Sequence, residues 1–155
     1  MKSEEKTNQI HGTVSGADFQ VDLNIPPDLQ LVKIVSSLAA SLMELRGYDE
    51  DDQEAIRFAI HETLVNAIQY GSRSRSDARI TIKLYFIGQC FYTDIEDEGE
   101  GFSIEDISDP TSPDNLLKAN GRGLFLVKQL TQQFEVTNLP DKGVRVSFCR
   151  LKHGD

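Results

Sequence analysis

Three short stretches of this chain carry residue types that chemistry could use. The first is HETLVN, residues 61–66, where a carboxylate, Glu62, and a carboxamide, Asn66, stand four residues apart. At about 100° per residue the two side chains share one face of a helix. A carboxylate can orient or deprotonate a hydroxyl nucleophile, and an amide oxygen suits a hard cation. The same pair is also what an ordinary water-facing helix surface offers. His61, next to Glu62, is expected to point elsewhere around the helix.

The second stretch is DEGEGF, residues 97–102. An Asp at a strand end can accept a hydrogen bond from an exocyclic amine such as that of adenine. Gly99 and Gly101 would let the chain turn sharply and come close to a ligand. The plain alternative is an acidic β-turn. A calcium loop fits less well, because the EF-hand spacing and its terminal Glu are missing. The third stretch is GRGLFLV, residues 121–127, a glycine pair opening a helix. Unpaired N–H groups at a helix start make an anion site, and Gly121 and Gly123 would admit phosphate oxygens. Arg122 between them could reach a phosphate or simply face solvent. Neither a Walker sequence nor a Rossmann fingerprint is present, so an ordinary glycine-containing cap stays open as a reading.

The elements that must position these residues are legible from periodicity. Phe19, Val21, Leu23 and Ile25 alternate as a strand, which Pro26 and Pro27 end. Asp28 is a candidate helix cap, and apolar residues then recur at helical intervals from Leu29 to Leu45 until Gly47. A second helix is expected from about Asp51 to Tyr70, stopped by Gly71. Strand patterns ending in Phe86 and Asp97, joined at Gly88-Gln89, predict a hairpin that carries Asp97 in the inward-facing register. Residues 103–120 are rich in Ser, Asp and Pro, a length that suits a lid or binding loop. A helix over 121–132 and strands near 133–138 and 143–150 complete the chain. This order predicts an α+β two-layer sandwich, its mixed, mostly antiparallel sheet covered on one face by three helices. Residues 1–16 read as a polar tail and 17–152 as one domain.

Composition narrows the function. Asp and Glu number 25 against 16 Lys and Arg, a net charge of −9, which argues against a polyanionic partner. Arg73, Arg75 and Arg79 form the one basic concentration, either a solvated loop or a small docking patch for an acidic partner. No apolar run approaches a membrane span, and no signal peptide is visible. Cys90 and Cys149 fit reduced, core-type thiols and a cytoplasmic location.

In combination and in this order, the three stretches resemble the nucleotide site of the gyrase, heat-shock chaperone, histidine-kinase and MutL ATPases (GHKL, or Bergerat fold). Glu62-x-x-x-Asn66 looks like the N box, Asp97-x-Gly99-x-Gly101 the first glycine box and Gly121-x-Gly123 the second. The wording HETLVNAIQYG is most similar to the anti-sigma-factor serine/threonine kinase branch, and the resemblance covers roughly residues 17–150. The resemblance implies a histidine-kinase-like ATPase fold that binds ATP with Mg²⁺. It implies that Asn66 binds the metal, Glu62 is the general base, Asp97 reads the adenine amino group, and Gly99 and Gly101 give the base room. Gly121 and Gly123, with Arg122 between them, would cradle the phosphates, under a lid over 103–120. The implied activity is phosphorylation of a Ser or Thr on a small anti-anti-sigma-like antagonist, which frees the regulator to hold a sigma factor. A homodimer is a further implication; direct nucleic-acid or membrane binding is not. Family members often place a Thr after the glycine of the last hairpin, where this chain has Val144. Two other readings stay open: a non-catalytic ATP-binding partner-switching module, and a detached histidine-kinase catalytic domain.

Overall fold

Among the described residues five strands and three helices follow the expected order: β1 (Phe19–Ile25), α1 (Gln30–Leu45), α2 (Glu50–Asn66), β2 (Ile80–Ile87), β3 (Cys90–Asp97), α3 (Ala119–Leu130), β4 (Gln132–Asn138) and β5 (Val144–Leu151). The computed structural model describes residues 13–71, 77–99, 119–140 and 143–154. Most of the polar tail, Arg73, Arg75, Gly101 and residues 103–118 of the lid expected over 103–120 lie outside the described residues, and residues 119–120 belong to α3.

Local chemistry explains the helix boundaries. Asp28 accepts a hydrogen bond from the Gln30 N–H at 2.9 Å, holding the first turn of α1 from just before it. Asp49 caps α2 by accepting from the Asp52 N–H at 2.8 Å, a contact worth about 1 kcal/mol. Glu50, Asp51 and Asp52 then place negative charge in the first turn, where the helix dipole favours it. The α-helical pattern of α2 ends at Asn66, four residues before the expected stop, and the chain continues as a π-helical turn over Ala67–Gly71. In α3 the helix begins at Ala119, two residues before the expected start, so Gly121 and Gly123 lie within its first turns rather than ahead of it.

The sheet order is β1-β2-β3-β5-β4, and every pairing among the described residues is antiparallel, in keeping with the mostly antiparallel sheet expected. β3 and β4, each antiparallel to the β5 strand between them, run in the same direction and are linked in the chain through α3. Gly88 at φ +58° makes the tight β2–β3 turn. Phe91, Thr93, Ile95 and Asp97 alternate as buried residues along β3. The first three face a core built with Ile82, Leu84, Phe86, Val146 and Phe148 from the sheet and Val35, Met43, Ile56, Ile60, Leu64 and Val127 from the helices. The phenyl rings of Phe86 and Phe91 meet tilted, with centroids 4.9 Å apart. Both cysteines are free, Cys149 buried and Cys90 half-buried. Among the described residues no helix is long and apolar enough to cross a membrane.

A buried ion pair ties the end of the chain to the start of α2. Asp52 is fully buried and accepts from Arg150 Nε at 2.7 Å and from the His153 N–H at 3.0 Å. Burial alone would raise the Asp52 carboxyl. The His153 amide and the Arg150 guanidinium outweigh that cost and hold it below its ordinary value. Arg150 Nη1 also donates to the Leu130 carbonyl at 2.6 Å, so one guanidinium joins α2, α3 and β5. Asp49, Asp52 and His153 are close enough to share a metal ion, but Arg150 already supplies the cation there. The third basic residue of the 73–79 group, Arg79, is committed to the edge strand, donating to Asn24 Oδ1 at 2.6 Å and to the Asn24 carbonyl at 3.0 Å.

Candidate active site

Glu62 and Asn66 lie on one face of α2, both partly exposed, as the spacing requires. Against Glu62 sits α3. A Cβ added at Gly123 would collide with Glu62 Oε2 and would come within 3.2 Å of its Cδ. The carboxylate therefore occupies the room that the missing side chain leaves. Two motifs 61 residues apart in the chain meet at this point. Gly123 is buried and Arg122 is exposed. His61 departs from expectation: its Nδ1 lies 3.5 Å from Glu62 Oε1. Adjacent helix positions do not face each other, but the Glu62 side chain is long enough to bend around the helix surface toward the imidazole.

The Asn66 carboxamide nitrogen, Nδ2, is buried and has no hydrogen-bond partner among the described residues. A buried polar group left in that state costs about 1–3 kcal/mol, a deficit that a ligand at the site would relieve. Turning the amide over presents its oxygen in the same place, so the group fits a hard cation or a phosphate oxygen equally. Two hydroxyls, Thr63 Oγ1 beside Glu62 and Thr93 Oγ1 on the inward face of β3, are also buried and unpaired.

Asp97 stands at the end of β3, only 8% exposed. Its Oδ1 accepts the Gly99 N–H at 2.7 Å. Burial pushes the carboxyl above the ordinary carboxylate range. The backbone N–H groups of Gly99 and Val144 pull it down, and the nearby Glu98 charge adds to the rise. Val144, where a Thr was expected by resemblance, is buried directly opposite Asp97 in the β3–β5 register. It supplies a backbone donor to the carboxylate but no hydroxyl. Three glycines wall this end of the site. A Cβ at Gly71 would lie 2.6–2.7 Å from the two Asp97 carboxylate oxygens. One at Gly99 would run into the Gly71 backbone, and one at Gly143, where φ is +117°, into the Asp97 carbonyl oxygen.

Glu62, Asn66, Asp97, Gly99 and Gly123 are thus joined through two junctions: α3 on α2 at Glu62, and the π-helical turn on β3 at Asp97. The side on which Gly121 lies is described only as backbone helix, and Gly101 lies outside the described residues. Sequence reasoning missed Gly71 and Gly143 as parts of the site. Gly71 reads as a helix stop and Gly143 as a hairpin glycine. Only the fold brings them against Asp97, Gly71 at its carboxylate and Gly143 at its backbone carbonyl.

The two-layer α+β fold thus carries a carboxylate and a carboxamide on α2 and an Asp among glycines at the end of β3. The chain belongs to the histidine kinase-like ATPase domain family, whose match spans residues 25–150. It is similar to the serine-protein kinase RsbW of Bacillus licheniformis, 25% identical over 141 residues that cover 87% of this chain and 86% of that protein. The serine-protein kinase RsbW of Bacillus subtilis (strain 168) is 22% identical over 147 residues, 91% of this chain and 90% of that one. Among solved structures, the RsbU and RsbW domains of a Mycobacterium tuberculosis protein superpose with a TM-score of 0.63 at 16% identity, over 88% of this chain. This chain spans 33% of that protein's length.

Proposed function

We propose that the protein is an ATP-dependent serine/threonine protein kinase of the anti-sigma-factor type, acting on a small anti-anti-sigma-like antagonist and holding a sigma factor when the antagonist is phosphorylated. The observation that carries this reading is the meeting of Glu62 with Gly123 beside Asn66, within a family whose RsbW members are named serine-protein kinases.

Each residue has a chemical task in this scheme. Asp97 accepts a hydrogen bond from the adenine amino group. Gly71, Gly99 and Gly143 keep side-chain atoms out of that end. The first turn of α3, with Gly121 and Arg122, directs N–H groups and one guanidinium at the phosphates, while Gly123 leaves room for Glu62. Asn66 is the residue to hold Mg²⁺. The bound ion would offset phosphate charge, the main demand of phosphoryl transfer besides positioning. Glu62 takes the proton from the antagonist's Ser or Thr hydroxyl as its oxygen attacks the γ-phosphorus. The bond from that phosphorus to the bridging oxygen breaks, leaving ADP and a phosphoester. Cytoplasmic location and a homodimeric state belong to the same reading.

Calorimetric titration with ATP, with and without Mg²⁺, tests the site. Magnesium-dependent binding is expected, and Asp97→Asn should weaken it by about 10- to 100-fold. Glu62→Ala should abolish transfer to a purified antagonist while leaving ATP affinity within a few-fold. Equal loss of both would remove Glu62 from the role of base. A variant that still transfers phosphate at the wild-type rate would do the same. A wild type that binds ATP but transfers nothing would favour the partner-switching module instead.

A further inference from the structure

Gly71 has no conformational reason to be glycine. Residues that end helices by adopting a left-handed backbone show it in φ, as Gly47 does at +77° after α1. Gly71 is not among the positive-φ glycines. Its neighbourhood gives a different reason. The π-helical turn over Ala67–Gly71 directly follows Asn66 and packs on β3. Such turns are rare and wider than an α-turn, and they are frequent at functional sites. Here the turn sets the Gly71 backbone flat against the Asp97 carboxylate, so that a single methyl at residue 71 would overlap Cγ and both oxygens. On its other side Gly71 meets Gly99, whose own absent Cβ would fall 2.6 Å from the Gly71 carbonyl oxygen. Gly99 in turn donates its N–H to Asp97 Oδ1 at 2.7 Å. The carboxylate is therefore held by a donor on one side and a bare backbone wall on the other.

We infer that Gly71 is a positioning residue for Asp97, and that the π-helical turn fixes the selectivity of the site for a purine carrying a 6-amino group. The inference rests on the reading of Asp97 as the adenine-recognising residue. Glu62 and Gly71 lie nine residues apart along one continuous helical segment. The same element that carries the base thus also sets the residue that selects the nucleotide, at the opposite end of the site.

The test compares ATP with purine riboside triphosphate, which lacks the 6-amino group, each with Mg²⁺. The wild type should prefer ATP by about 10- to 100-fold, the span expected for one hydrogen bond to a charged acceptor. In Gly71→Ala the preference should collapse toward unity, while affinity for the analogue stays within about threefold. Asp97→Asn should show the same collapse, and the double variant no further change. A folded Gly71→Ala that keeps the wild-type ratio would overturn the inference, as would equal weakening of both nucleotides, which a purely structural role predicts. If Gly71→Ala does not fold, Gly71→Ala with Asp97→Gly decides. Recovery of folding locates the clash at the Asp97 carboxylate and supports the inference, whereas continued failure to fold refutes it. Wild-type protein that binds neither nucleotide would remove the ATP reading itself, a result separate from any behaviour of the variants.

Discussion

Gly123→Ala separates transfer from nucleotide binding. The added methyl would collide with Glu62 Oε2, would lie 3.2 Å from Cδ, and would sit at an ordinary 3.5 Å from Cβ. Only the carboxylate end has to move, and restoring normal contact distances requires a shift on the order of 1 Å. The Glu62 side chain is 31% exposed, so it can swing toward solvent without disturbing the core. Replacing glycine by alanine inside a helix also favours folding by up to about 1 kcal/mol. Stability should therefore hold, or the melting temperature should rise by up to roughly 4 °C. A general base displaced by about 1 Å costs on the order of 100-fold in rate, or about 2.7 kcal/mol of barrier. The assay is single-turnover transfer from saturating Mg-ATP to a purified antagonist, read beside the calorimetric ATP affinity. An unchanged rate in a folded variant would refute the claim that Gly123 makes room for the base. A parallel fall in ATP affinity would show instead that residue 123 acts on the phosphates directly.

Two further predictions concern ionisation and the remote ion pair. Because burial raises the Asp97 carboxyl above its ordinary value of 3.8, ATP affinity should begin to fall at a higher pH on acidification than for an ordinary Asp. The same shift has the opposite sign for the unliganded fold, whose contribution from Asp97 is present at low pH and lost as pH rises through the raised value. Calorimetry across an acid series checks the first part; affinity flat down to the ordinary carboxylate range would contradict it. Asp52→Ala leaves Arg150 without its buried partner and should cost about 3–5 kcal/mol, lowering the melting temperature by roughly 6–20 °C. The folded fraction should still bind ATP, since Asp52 pairs with Arg150 and His153 and with none of the site residues. A melting temperature within 2 °C or so of wild type would show that the pair contributes little.

Much of this molecule is written in its periodicities. Val21, Leu23 and Ile25 must share one face of β1 because strand side chains alternate, and that face lies against Leu84, Ile82 and Ile80. The inward register of Asp97 follows from Phe91, Thr93 and Ile95 by the same rule, and the structure keeps it. Glu62 and Asn66 share a helix face because 3.6 residues make a turn. These are local consequences of backbone geometry, and the sequence alone determines them. What periodicity left open has long-range causes. The strand order is of this kind, since the insertion of β5 between β3 and β4 is a global choice. The π-helical turn after Asn66 has no periodic signature, because five residues are too few to establish a period. Gly71 and Gly143 look in sequence like mere punctuation, and Gly123 like part of a phosphate cradle. In the fold they give clearance, Gly71 at the Asp97 carboxylate, Gly143 at the Asp97 backbone carbonyl and Gly123 at the Glu62 carboxylate, and clearance is a relation between atoms distant in the chain. Residue type and spacing determined which groups could do chemistry. Tertiary packing alone decided which of them touch, because contact depends on how the helices lie across the sheet.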